Sequence, residues 1–365
     1  CVILVVKSPY TLWFQQYLKD KVHYIEINAD LSNLEEQINW CIKNEDKCTE
    51  IAKNGLEFFN TYLTPEKTYE YFFNLTNRLS KLRKPPTYKM NNNKLNIILA
   101  YRNSDDDSRR EQLEIYKSQI DLIFRDRTKY HIYVIEQESD RDDYDSLSDE
   151  FKQEGTRMAK FNLGRLKNIG FELAEKDNRG IDNSYYILSD IDMLPSYNLV
   201  EDYLKYPKNP IHLANLGTRY SEDGSDADFL GGVVSFNDTD FIESNGYPNN
   251  FWGWGGEDNV LSNRLKLNEI KIDKSQYPVI DLENITLDDK RHLLWEKKLK
   301  MDKSLKKERI KIDKESWKEN GLFNLDGLYK ILNENKDEDN ITHIKVFLNT
   351  TKEKPKENPK EKPKE

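Results

Sequence analysis

Short apolar runs alternate with amphipathic stretches along most of this 365-residue chain, and the spacing of the two predicts its elements. CVILVV (1–6) and HYIEI (23–27) read as strands, with a short helix between them over Tyr10–Leu18. Asp30 or Ser32 can cap a helix starting near Leu34, which has Glu35 and Glu36 in its first turn. Two more helical stretches follow, Asp46–Tyr62 and one opened by Thr64-Pro65 that runs to about Leu82. Paired prolines and an Asn run in RKPPTYKMNNNK mark a linker at 85–94. The chain thus divides into residues 1–84, the linker, and residues 95–349.

In the second unit LNIILAYRN, YHIYVIEQ (130–137) and SYYILSDID (184–192) read as buried strands. Helices at Glu111–Phe124 and Phe161–Glu175 separate them, and the acidic stretch 138–150 reads as a surface loop. Strand, helix, strand, helix, strand in this order predicts an α/β sheet. The low-complexity tail at 350–365, KEKPKENPKEKPKE at its end, reads as disordered.

Composition narrows the class. The chain is 37% hydrophobic and 33% charged, so it is polar and able to fold. A net charge of −9 argues against a broad nucleic-acid-binding face. No apolar run approaches the roughly 18–20 residues that span a bilayer, and CVILVV lacks the basic flank of a signal sequence. The first residue is Cys1, so the expectation is a piece cut from a longer protein. Cysteines occur only at positions 1, 41 and 48, which favours a reducing, cytoplasmic setting and leaves no metal-type Cys spacing.

Two motifs carry chemistry. Asp190-Ile191-Asp192 follows the apolar strand YYIL directly, and ligand sites in α/β folds gather at the carboxyl ends of strands. A D-x-D there can offer carboxylate oxygens to Mn²⁺ or Mg²⁺, which in turn would hold a diphosphate; alone, such a motif is more often a capping or solvated pair than a metal site. The second is Trp252-Gly253-Trp254-Gly255-Gly256-Glu257-Asp258-Asn259, after Phe251. Its glycines permit positive φ and close backbone approach, its indoles offer flat faces for a sugar, and its carboxylates can act on a hydroxyl. The competing reading is a tight turn packed ahead of a helix at 260–267.

The stretch FLGGVVSFNDTDFIESNGYPNNFWGWGGEDNVLSNRL (229–265) resembles the β-1,4-galactosyltransferase family. The likeness extends in order through AYRN (100–103), IYVIEQ (132–137), FNLGRLKNIGF (161–171) and SDIDMLP (189–195), and on to GLFNLDGLYKIL and THIKVFL within 321–348. It implies a GT-A, Rossmann-like fold and inverting transfer of a hexose, galactose first, from a UDP-sugar to a glycan or glycoprotein acceptor. By the same resemblance Ala100, Tyr101, Arg102, Phe161, Asn162 and Leu163 line the donor site with Asp190, Ile191 and Asp192, and Asp192 binds the metal. Trp254 touches donor and acceptor, and Gly255, Gly256, Glu257 and Asp258 form the acceptor site. Asp258 is the candidate general base and Glu257 orients the acceptor. Phe229 falls where an aromatic ring favours galactose. A carboxylate in a Trp-lined pocket is expected to have a raised pKa.

The sequence departs from that pattern in places. Asn259 stands where the family has another acid. The family's metal-binding His and the Met before it align with Glu283 and Ile280 of YPVIDLENITLDDKRH, leaving Glu283 or His292 as further ligand candidates. Residues 1–84 resemble the C-terminal end of the CAP10-like protein O-glucosyltransferases, which implies a partial, GT-B-like α/β unit. Two other readings stay open: a carbohydrate-binding module on a transferase scaffold, and one half of a bifunctional enzyme.

Overall fold

The computed structural model describes residues 1–8, 12–82, 90–104, 106–217, 230–283, 285–337 and 340–350. The chain separates into two compact units, Cys1–Thr87 and Tyr88–Glu365.

In the first unit β1 (Leu4–Val6) and β2 (Ile25–Ile27) pair in parallel, and α1 (Leu34–Lys43), α2 (Glu45–Tyr62) and α3 (Pro65–Leu82) follow. Ile25, Ile27, Ile51 and Phe58 are its buried apolar centre. Two expectations change here. Tyr10–Leu18 forms no α-helix in its described part, only a 3-10 turn at Gln15–Tyr17; Tyr10 itself lies outside the described residues. Neither Asp30 nor Ser32 is the cap of α1, whose cap position is Asn33; Asp30 instead accepts the Ser32 N–H in a local turn.

The second unit carries β3 (Asn91–Tyr101), α4 (Ser108–Phe124), β4 (Thr128–Gln137), α5 (Leu163–Asn178), β5 (Ser184–Ser189) and β6 (Met193–Pro195). Then come α6 (Val200–Leu204), β7 (Ile211–His212), β8 (Val233–Phe236), α7 (Asp238–Glu243), α8 (Glu257–Leu267), β9 (Asp273–Lys274) and β10 (Val279–Asp281). The chain finishes with α9 (Leu287–Glu296), α10 (Lys303–Ser316), β11 (Tyr329–Asp337) and β12 (Ile341–Leu348). Eight strands form one mixed sheet in the order β11-β12-β4-β3-β5-β8-β7-β9. Its centre, β12-β4-β3-β5, is parallel. The Asn run read as linker opens β3, with a register irregularity between Asn91 and Lys94.

The strands are apolar on both sides because helices cover both faces. Leu95, Ile97, Leu99 and Tyr101 face Leu113, Tyr116, Ile120 and Phe124 of α4. Ile98 and Ala100, on the alternate positions, face Leu166, Ile169, Phe171 and Ala174 of α5. Gly170 brings α5 close to the sheet: a Cβ there would lie 2.4 Å from Cγ2 of Ile98. The acidic stretch after β4 is not wholly a surface loop. Glu138 and Arg141 are buried, paired at 2.6 Å, and tie this segment to β12 through the Leu348 carbonyl.

Candidate active site

Because β3, β4 and β5 run parallel, their carboxyl ends share one edge of the sheet, and Arg102 and Asp190 both emerge there. The antiparallel β8 starts at the same edge, where Gly232 accepts the Asp190 N–H at 2.9 Å. Of the donor-side candidates, Ala100 and Tyr101 are buried at the end of β3. Arg102 donates to the Ala159 carbonyl and to Gln153, both at 2.7 Å, and lies over the Phe161 ring at 5.5 Å. Asn162 caps α5, accepting the Arg165 N–H, and Leu163 opens that helix. Ile191 is buried; Phe229 lies outside the described residues.

The two acids of the D-x-D part company. Asp190 pairs with Lys167 of α5 at 2.9 Å. Asp192 is 5% exposed and receives Nη1 of Arg109, from the first turn of α4, at 3.3 Å. Glu283 reaches the same guanidinium: β10 pairs with β6, Leu282 donates to the Asp192 carbonyl, and Nη2 of Arg109 lies 2.7 Å from Glu283. Lys290 of α9 donates to both Glu283 oxygens at 2.6 Å. His292 stays outside this cluster; it is exposed and pairs with Glu296 one turn along α9. Ile280 is 46% exposed.

The second motif is a bend feeding a helix. Gly255 and Gly256 hold φ of +107° and +111°, a region closed to most side chains, and Gly256 is the cap position of α8. A Cβ on Gly256 would also sit 2.7 Å from the Phe251 ring. Glu257 and Asp258 follow as the first turn of α8. Trp254 is partly exposed and carries Lys300 at 5.5 Å from its ring centre. Trp252 is not a second open face: it is 2% exposed, packed edge-on against Phe151 and under Arg165. The packing reading describes Trp252.

Among the described residues, Oε2 of Glu257 and Oδ1 of Asp258 are buried without a hydrogen-bond partner. Burial raises the pKa of Asp258 well above the ordinary carboxylate value, and the neighbouring Glu257 raises it further, against Lys167 and Lys306. Burial likewise raises Glu257, opposed by its own backbone N–H, Lys306 and Lys167. For Lys167 burial alone would lower the pKa, but Asp190, then Tyr247 and Asp258, outweigh it and hold the ammonium charged. Asp190 and Asp258 therefore face one buried cation, which links the two motifs across a sequence separation of tens of residues.

Sequence reasoning missed four cations. Lys167 had a signal, since it interrupts an apolar helix face at i, i+3 and i+4 spacing from Leu163, Gly164, Gly170 and Phe171. Arg109, Lys290 and Lys306 had none; Lys306, on α10, lies over the Gly255-Gly256 bend. Lys167→Met is expected to destabilise the unit by about 3 kcal/mol, the low end for breaking a buried pair because the Asp190 side chain keeps some exposure. Urea denaturation measures this. The same change should move the acid limb of any activity that uses Asp258 to higher pH, because it removes a cation that favours the carboxylate.

A mixed sheet with this order, carboxylates at the ends of its parallel strands and an acid pair opening a helix match the GT-A fold that the sequence resemblance implies. Comparison agrees. Residues 212–287 match the family model described as the N-terminal domain of galactosyltransferase, and residues 1–119 match glycosyl transferase family 90. The chain is 31% identical over 175 residues to mouse β-1,4-galactosyltransferase 1, which covers 47% of this chain and 36% of that enzyme. It is 41% identical over 86 residues to protein 179R of Invertebrate iridescent virus 6, covering 22% of this chain and 7% of that protein. The catalytic domain of Drosophila β1,4-galactosyltransferase 7, solved with xylobiose, superposes with a TM-score of 0.51 at 22% identity, over 70% of this chain and 94% of that one. A mutant of that fly enzyme has been solved with manganese, UDP-Gal and xylobiose (TM-score 0.48, 22% identity, over 70% of this chain and 94% of that one). The second unit is thus similar to the β-1,4-galactosyltransferases in sequence and in fold, and the chain spans little more than a third of the mouse enzyme's length.

Proposed function

We propose that this chain transfers a hexose, galactose in the first instance, from a UDP-sugar to a hydroxyl of an acceptor sugar, with inversion at the anomeric carbon. The observation that supports the reading best is the Glu257-Asp258 pair: two carboxylates each with an oxygen that has no hydrogen-bond partner among the described residues, beside a partly exposed indole, facing the same cation as Asp190. A group shielded from water with a raised pKa suits a base that works near neutral pH.

In this reading the acceptor oxygen forms its bond to C1 as the bond from C1 to the UDP oxygen breaks. Asp258 takes the acceptor proton, and UDP departs with the electron pair. Glu257 accepts a hydrogen bond from a second acceptor hydroxyl and so aims the attacking one. Trp254 stacks on a sugar face; Gly255 and Gly256 make the positive-φ bend that turns the chain into the helix starting at Glu257. Residues 100–102 and 161–163 form the nucleotide side.

The residues on the phosphate side do not fit a divalent cation as they stand. Asp192 and Glu283 are each already engaged by a protein cation, and among the described residues no group of three or more His, Cys, Asp or Glu side chains could hold a metal.

Incubating the chain with UDP-galactose and a panel of sugar acceptors, and following UDP release, tests the reading. Acceptor-stimulated release supports transfer. Sugar binding with no release under any condition would favour a binding module instead.

A further inference from the structure

The cluster that replaces the expected metal site has the make-up of an anion site. Its frame is backbone: β6 pairs with β10 so that Met193 faces Asp281, and Leu282 donates to the Asp192 carbonyl at 2.8 Å. This pairing sets Asp192 and Glu283 side by side. Arg109 spans them, Nη1 on Asp192 at 3.3 Å and Nη2 on Glu283 at 2.7 Å, and Lys290 backs Glu283 with two contacts of 2.6 Å. Among the described residues, the two carboxylates and two cations of this cluster sum to zero. A hard divalent ion needs oxygen donors in a net negative field, and here it would first have to displace a guanidinium from both of them.

The guanidinium is not exhausted by these contacts. It has five N–H groups in a rigid fork. Nη1 also donates to Gln112 at 3.0 Å, so three are used. Among the described residues Nε and the second hydrogen of Nη2 remain, on a side chain that is 32% exposed. Such paired donors match the oxygens of a phosphate. The position, beside Asp192 at the carboxyl edge of the parallel strands, is where a nucleotide diphosphate is expected in this fold.

We propose that Arg109, backed by Lys290 through Glu283, takes the place of the divalent cation: it neutralises the diphosphate of the nucleotide-sugar, and Asp192 and Glu283 aim the guanidinium instead of ligating a metal. The proposal rests on the nucleotide-sugar reading above. As the leaving bond breaks, the extra charge on UDP meets a fixed guanidinium, which needs no exchangeable ion.

Two measurements on the full, metal-stripped chain test it. The first is calorimetric titration with UDP, once in EDTA and once with Mn²⁺. The same affinity in both is expected, with Arg109→Gln weakening UDP by about 10- to 150-fold, the worth of a charged hydrogen bond, and Arg109→Lys falling between. The second is titration with Mn²⁺ alone, read by electron paramagnetic resonance. The wild-type chain should leave Mn²⁺ free, whereas Arg109→Met combined with Lys290→Met, which removes the guanidinium and the ammonium that engage Asp192 and Glu283, should bind it. Mn²⁺ binding by the wild-type chain, or UDP binding lost in EDTA, overturns the replacement while leaving the transferase reading intact. Absence of UDP binding in both buffers sinks the nucleotide reading itself, and with it this role for Arg109.

Discussion

Asp258→Asn is expected to lower kcat/KM for sugar transfer by about 10²–10⁴-fold, the usual worth of a general base, with UDP affinity unchanged. Asn keeps the shape and one oxygen acceptor but cannot take the proton, so a residue that only packs the bend would show little effect. The pH profile gives the same test a second readout. Burial and Glu257 raise the Asp258 pKa, so the acid limb of kcat/KM should lie above the normal carboxylate range, nearer neutral. The sign for stability runs the other way from activity. A carboxyl whose pKa is higher in the folded state stabilises the fold fully below its unfolded value, and that contribution is lost as pH rises through the folded value. Asp258→Asn, which cannot ionise, should therefore raise the midpoint of thermal unfolding at pH 8 and lose that advantage in mild acid. A variant that is inactive yet no more stable in alkali would argue that Asp258 is an ordinary solvated acid.

Arg264→Met should carry the largest loss of stability, about 3–5 kcal/mol, because it strands Asp313 as a buried unpaired charge. Arg264 of α8 is fully buried and meets the 5%-exposed Asp313 of α10 through Nε at 3.0 Å and Nη2 at 2.5 Å. It also donates to the carbonyls of Asn245, Gly246 and Asn320. The arrangement clamps the helix that starts with Glu257 and Asp258 to the helix that carries Lys306. Combining Arg264→Met with Asp313→Leu should recover part of the loss, since the stranded charge goes with its partner. Urea denaturation of the single and double variants would decide it; equal losses in both would place the energy in the three carbonyl contacts instead.

Much of this was legible in the sequence. The central strands read as strands because helices cover both faces and leave continuous apolar runs such as NIILAY. Helices α4 and α5 read from their spacing. The acid motif read from its composition, since glycines, indoles and acids rarely crowd together without a use. What stayed hidden depends on pairing distant in sequence. The β6–β10 ladder is three residues long, too short to leave a period, yet it brings Glu283 close to Asp192. Arg109 and Lys290 are two of 56 Lys and Arg side chains, and nothing local marks them out. Trp252 and Trp254 are alike in the sequence; the turn at Gly253 sends one inward and leaves the other partly exposed.

The missing side chain at Gly170 has a consequence beyond packing. With a methyl group there, α5 would have to lift away from Ile98, and the same helix carries Asn162 at its start and Lys167 one turn earlier. Gly170→Ala should thus register as a loosened grip on Asp190 and an altered proton affinity at Asp258, although no atom of residue 170 approaches either. The thickness of one layer of the domain is in this way a tuning dimension for its chemistry, and that dimension is set by a hydrogen where other residues have carbon.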